Sequence, residues 1–390
     1  MPPMLLPIIY LAFVSLGLPD GLLGASWPQM HVDLGAAVAM QGVISMIIAG
    51  GTIVSSLNTD RLIAKLGTGK LTLASVALTA IALFGFASSP TFVTTCLWAI
   101  PYGLGAGAVD AALNNFVATH YAARHMNWLH CSWGIGASAG PLVLGAVMLT
   151  SAGWRGGYLA IGLAQAVLVA VLVAALPLWK KARIAHEEGG ATETRPVPKA
   201  ELIRLPGAKY ALVGFLCYCA IESSCGLWGS TFMVLDRGID AATAATLVSL
   251  FYVGIALGRF VSGVLTLRMG GEALTRLGEA LIAAGVVVLL VGQGMVPTAV
   301  GLLLIGLGCA PIYPQMIQLT PKRFGEGASQ SMMGLQMACA YVGSTFFPPL
   351  TGLILDNIYA GALPWIVGCL VAVMAFCMMR VDRSTAVERS

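Results

Sequence analysis

Three carboxylates, Asp20, Asp110 and Glu222, stand inside long apolar runs. A charge in hydrocarbon costs at least a few kcal/mol unless it faces a cavity, finds a partner or takes a proton, so each is a candidate for chemistry. Asp20 lies between Pro19 and Gly21, which loosen a helix and expose backbone beside the side chain. Asp110 shares one helical face with Gly103, Gly107 and Asn114, at i, i+4, i+7 and i+11, with Asn115 one residue round. Small residues there admit a neighbour or a ligand close to the acid and the amide. Glu222 sits in Ile221-Glu222-Ser223-Ser224. A carboxyl withdrawn from water can load and release a proton near neutral pH, which predicts proton-coupling roles for Asp20, Asp110 and Glu222. The plainer alternatives are a helix-end acid at 20, a hydrogen-bond lock between packed helices at 110, and an acid satisfied by its serines at 222.

Amides and aromatics form a second set. Tyr313 and Gln315 lie among Pro311 and Pro314, which must disturb their helix. Together with Asn114, Asn115, Trp133, Trp228 and Gln336 they are the residues expected to stack on or hydrogen-bond a polar organic substrate. His130 joins them as a relay or a gating hydrogen bond. The five histidines and nine cysteines show no metal spacing, and there is no phosphate-binding loop or nucleophile elbow. The chemistry expected is therefore binding and proton transfer without a metal or cofactor, and the chain is not expected to be an enzyme.

What must position these residues follows from composition. With 58% hydrophobic and 10% charged residues and a mean hydropathy of +0.86, the chain is an integral membrane protein. Helices satisfy their own backbone in lipid and need about 20 apolar residues to cross it. Twelve such stretches are predicted, near 5–26, 37–58, 71–90, 92–117, 127–149, 156–178, 209–234, 241–266, 274–293, 297–317, 328–355 and 360–380. They divide into an N-terminal six-helix bundle (1–178), a polar linker (179–208) and a C-terminal bundle (209–390). The halves repeat. Asp20 and Glu222 are 202 residues apart, Gly103-Leu104-Gly105 and Gly306-Leu307-Gly308 are 203 apart, and Gly136, Pro141 and Gly145 match Gly343, Pro348 and Gly352 at 207. Two hydrophobic repeats with acids at matched depths predict a transporter with its site near the bilayer midplane. All of the 21 Lys and Arg except Arg155 and Arg237 fall on one side, which predicts cytoplasmic termini and linker. The net charge of +4 thus needs no nucleic-acid partner; the expected partners are lipid, protons and a small solute, with the chain working as a monomer in the inner membrane.

These residues resemble the major facilitator superfamily over essentially the whole chain. The loop motif of that family is recognisable in Ser56-Leu57-Asn58-Thr59-Asp60-Arg61, and its counterpart in Gly258-Arg259-Phe260-Val261-Ser262-Gly263. The resemblance implies gating roles for Asp60, Arg61 and Arg259. Within the superfamily the chain is most similar to the fucose–proton symporter branch, in its acid in the first span and its second acid, Asp110, followed by Asn114 in a Gly-rich fourth span. That likeness implies alternating access and proton-coupled uptake of a monosaccharide or small polyol. A competing likeness runs from Gly136 through Pro141 to Gly145, similar to the antiporter motif of proton-driven exporters, and keeps export of amphipathic compounds as the alternative. An intramembrane aspartyl protease is disfavoured, because Ala108-Val109-Asp110 lacks the Gly-x-Gly-Asp form.

Overall fold

A computed structural model of the chain describes residues 4–121, 123–184, 199–266 and 268–387, apart from the side chains of a few, Asp60 among them. Among the described residues all regular structure is helical. Twelve helices are long and apolar enough to cross a membrane: Leu5–Asp33, Val38–Thr59, Thr68–Ser88, Phe92–Val117, Trp128–Met148, Gly153–Trp179, Ala208–Leu235, Ala241–Leu265, Gly271–Val291, Met295–Gln318, Ser331–Asn357 and Ala360–Thr385. They are called the first to twelfth spans below. Each corresponds to one predicted stretch.

The largest difference in length is at the first span, which runs to Asp33 rather than 26. Its added end is tied down. The Trp27 indole donates to the Val38 carbonyl at 2.8 Å, and Asp33 accepts from the Trp154 indole at 2.7 Å and pairs with Arg155 at 3.2 Å. The fourth span starts at the predicted residue because a capping box precedes it: Thr91 and Thr94 each accept from the other's backbone N–H. The sixth helix continues to Ile184, so the expected linker begins as helix; its residues 185–198, including Glu187, Glu188 and Arg195, lie outside the described residues.

The chain separates into two compact units, Met1–Gly190 with Ile239–Ser249, and Ala191–Gly238 with Leu250–Ser390. The core of the first is built by Leu5, Ile9 and Phe13 of the first span against Leu113, Phe116 and Val117 of the fourth and Leu168 and Leu172 of the sixth. Within each unit the repeat reappears as a repeat of close backbone contacts. A Cβ at Gly103 would strike the Ile48 carbonyl, and one at Gly306 the Phe251 carbonyl; both members shift by 203. Gly105 against Ser75 becomes Gly308 against Gly278, again at 203. Gly136 against Val14 becomes Gly343 against Leu216, at 207 and 202. Helix association in lipid depends on such small-residue approaches, so these glycines carry the architecture.

The first span is broken where it matters. One helix ends at Gly17, another begins at Leu22, and Pro19 supplies no N–H between them. The join tightens to three-residue bonds, Asp20 N–H to the Gly17 carbonyl at 3.1 Å and Leu22 N–H to the Pro19 carbonyl at 3.0 Å.

Candidate functional site

Asp20 sits at this break and is exposed. Its Oδ2 accepts from the Trp133 indole at 2.6 Å, and its Oδ1 from the Tyr102 hydroxyl at 3.3 Å. Both donors are neutral. The close approach that makes this possible comes from glycine. A Cβ at Gly17 would stand 2.7 Å from Ala137 N, and Gly136 and Gly140 abut Val14 and Leu18 of the first span. Trp133, Gly136 and Gly140, at i, i+3 and i+7, line one face of the fifth span, so glycines on that face seat the span that carries Asp20 under the indole. His130, one turn earlier, packs edge-on against Phe13, ring centroids 6.0 Å apart.

Asp110 and Asn114 form a second polar pair in the same unit. Asn114 Nδ2 donates to Asp110 Oδ1 at 2.9 Å and to the Asp110 carbonyl at 3.0 Å. This leaves Oδ2 of Asp110 and Oδ1 of Asn114 as acceptors. Asp110 lies within electrostatic range of Asp20. None of the ion pairs among the described residues involves either carboxyl. Asn115 is exposed, one residue round the helix.

The second unit breaks the chemical symmetry while keeping the packing symmetry. Beside Glu222, Arg259 of the eighth span approaches to 3.8 Å, with side chains 23% and 15% exposed. Arg259 occupies the repeat position of Ser56, so a cation stands where the first half has a hydroxyl. Tyr313, at the repeat position of Asp110, packs on Phe215 and Tyr218 with centroids 5.2 and 6.0 Å away, and its hydroxyl lies 3.3 Å from Met337 Sδ. Gln315 is buried with Oε1 against Gly271, Gln336 accepts from Thr320 at 2.9 Å, and the Trp228 indole, wholly buried, donates to the Pro348 carbonyl at 2.7 Å. These three are engaged in helix packing and do not come together with Tyr313 or Glu222 into one polar face. Arg61 is exposed near the end of its helix, Gln41–Leu66; the Asp60 side chain lies outside the described residues.

Tyr102 is the site residue not anticipated from the chain. Its signal was a phenol directly after Pro101 and two turns before Asp110 in an otherwise apolar stretch.

A family model described as Major Facilitator Superfamily matches residues 9–295 and again 210–390. The chain belongs to the major facilitator superfamily. It is accordingly a twelve-span membrane transporter and not an enzyme. No curated protein matches it in sequence. Among 311 matching chains of solved structures is a crystal structure of a mutant of the peptide transporter POT in complex with sulfate. That chain is similar with a TM-score of 0.71 at 14% identity, over 96% of this chain and 94% of that one. At such identity the likeness speaks for the fold alone.

Proposed function

We propose that this superfamily member is a proton-coupled secondary transporter of the inner membrane that takes up a monosaccharide or similar small polyol by alternating access. The observation that carries this reading is the pair of carboxyls in the first unit, Asp20 and Asp110, which among the described residues are hydrogen-bonded by neutral donors and paired with no cation. A carboxylate in that setting is uncompensated, so a proton or a ligand donor completes it. Asp20 takes the proton under Trp133 and Tyr102. Asp110 with Asn114 offers several directional acceptors, which suits a neutral, hydroxyl-rich ligand. Asn115 and Tyr313 add to that binding set, with His130 beside the first span; Gln315, Gln336 and Trp228 are left to packing.

Glu222 tunes the second unit through Arg259, whose approach to it supports a role inside that unit rather than in a loop latch, while Asp60 and Arg61 act in gating. The chain works as a monomer, its bundles 1–178 and 209–390 joined by the 179–208 linker, with linker and termini in the cytoplasm. Packing onto the first span gives a structural role to two of the glycines that resembled an exporter motif, Gly136 and Gly140.

The test is purified protein in liposomes with an imposed pH gradient, offered a panel of monosaccharides and polyols, a dipeptide and a cationic dye. Gradient-dependent uptake of a sugar or polyol, lost in Asp20→Asn while counterflow exchange survives, is expected. Dye expulsion, or uptake of the dipeptide alone, overturns the substrate class; uptake of a sugar indifferent to the gradient overturns the coupling.

A further inference from the structure

Pro19 leaves a carbonyl without its helical donor. In an unbroken helix the N–H of residue 19 would bond to the Ser15 oxygen, and proline has none. A buried orphan carbonyl is costly, and more so in a membrane. The sixth span supplies the replacement. Gln165, only 1% exposed, donates from Nε2 to the Ser15 oxygen at 2.9 Å. Its Oε1 lies 2.8 Å from the Thr79 hydroxyl of the third span, and the Ser15 carbonyl, which can only accept, fixes the orientation of the amide. Thus the sixth span, backed by the third, closes on one peptide group of the first. The crevice they enclose is lined by Ala12, Ser15, Pro19, Thr79, Tyr102 and Gln165, and it leaves no room for a water beside the amide. Tyr102, which holds Asp20 Oδ1, shares this wall.

We infer that Gln165 is a positioning residue for Asp20: its side-chain amide replaces the backbone donor that Pro19 lacks, and so sets the break at which Asp20 meets Trp133 and Tyr102. Thr79 supports the amide oxygen with a hydroxyl proton that it shares with the Val76 carbonyl. Glutamine serves where glutamate or leucine cannot, because the position needs a donor toward Ser15 and an acceptor toward Thr79 at once. The functional consequence rests on Asp20 being the proton carrier; the structural one does not.

A cycle of Gln165→Leu, Pro19→Ala and the double variant tests both. Alanine at 19 restores an N–H for the Ser15 carbonyl, so Gln165→Leu should lower the midpoint of unfolding in micelles by several degrees in the wild-type background and by less than half as much in Pro19→Ala. Equal losses in both backgrounds overturn the inference. The second measurement is the pH-dependent part of tryptophan emission that Asp20→Asn abolishes, the chain having 8 tryptophans. Gln165→Leu should reduce its amplitude at least twofold; full amplitude in Gln165→Leu overturns the positioning role. If Gln165→Leu does not fold, Thr79→Val takes its place, with a smaller loss in the same direction expected and no loss refuting. An emission flat with pH in the wild type defeats the proton reading of Asp20, and the unfolding cycle still decides the role of Gln165.

Discussion

Replacing Gly136 by alanine should uncouple Asp20 from Trp133. A Cβ at 136 would stand 2.9 Å from Leu18 N and nearer still to the Val14 oxygen, where an ordinary contact begins at 3.4 Å. The atoms concerned are backbone and cannot rotate away, so clearance requires the first and fifth spans to part by about 1 Å. Added to the 2.6 Å between indole and carboxylate, that separation exceeds hydrogen-bonding range. A hydrogen bond to a charged group contributes about 1.5–3 kcal/mol, and overpacking alone costs about 1–3 kcal/mol. The matching control is Gly343→Ala, which presses on Leu216 and Ala220 of the seventh span and touches no comparable site. Both variants should lose stability in reversible unfolding, Gly136→Ala by about 1.5–3 kcal/mol more than its partner. Only Gly136→Ala should lose the pH-dependent tryptophan emission that Asp20→Asn removes. Equal destabilisation of the pair with that emission intact would refute the claim that this glycine face seats Asp20.

The Glu222–Arg259 pair is partly buried between two spans, so removing one member leaves the other uncompensated, at a cost of about 3–5 kcal/mol, whereas removing both is close to neutral. Glu222→Leu and Arg259→Leu should each lower the unfolding midpoint sharply and the double variant should recover most of the loss; additive losses would show that the two charges do not compensate each other. Asp240, outside the membrane spans, caps the eighth span by accepting from Thr243 N–H at 2.9 Å, which holds its carboxyl below the usual range. A depressed folded value means that the cap stabilises above the ordinary carboxylate range and fades as pH falls through the depressed one. The stability difference between wild type and Asp240→Ala should therefore be constant near neutrality and shrink on acidification; a difference that grows in acid would contradict the sign.

The twelve spans were legible because hydrocarbon thickness imposes a length and a composition on each, and the repeat was legible because close approach admits only small residues at set spacings. Gly103 and Gly306 mark such approaches before any coordinates are known. What hydropathy does not carry is which side chain answers which. The Asp20 break was visible in Pro19, yet its partner is an amide in the sixth span, 146 positions away in sequence. Gln165 interrupts an apolar run as surely as Asp110 does, and the same reasoning about polar groups in lipid could have singled it out. Trp133 stood out as a ring for a ligand to stack on, but its indole N–H is turned onto Asp20, a choice made by Gly17, Gly136 and Gly140 through backbone distance alone. Trp228 stood out in the same way as a large aromatic in a span, and its indole N–H is turned onto the Pro348 carbonyl.

The two halves therefore obey different constraints at matched positions. Packing must be conserved between repeats, since a methyl group added at Gly103 or Gly306 meets a carbonyl in either half. The polar atoms are free to diverge, and they do: Asp20 under an indole and a phenol against Glu222 beside Arg259, Asp110 against Tyr313. A carboxylate that faces only neutral donors changes the net charge of its surroundings whenever it gains or loses a proton, whereas one beside a guanidinium exchanges a proton only by leaving that cation unpaired in lipid. On electrostatic grounds the proposed proton cycle belongs to the first unit. The second unit holds an ion pair and an aromatic cluster at the matched positions instead.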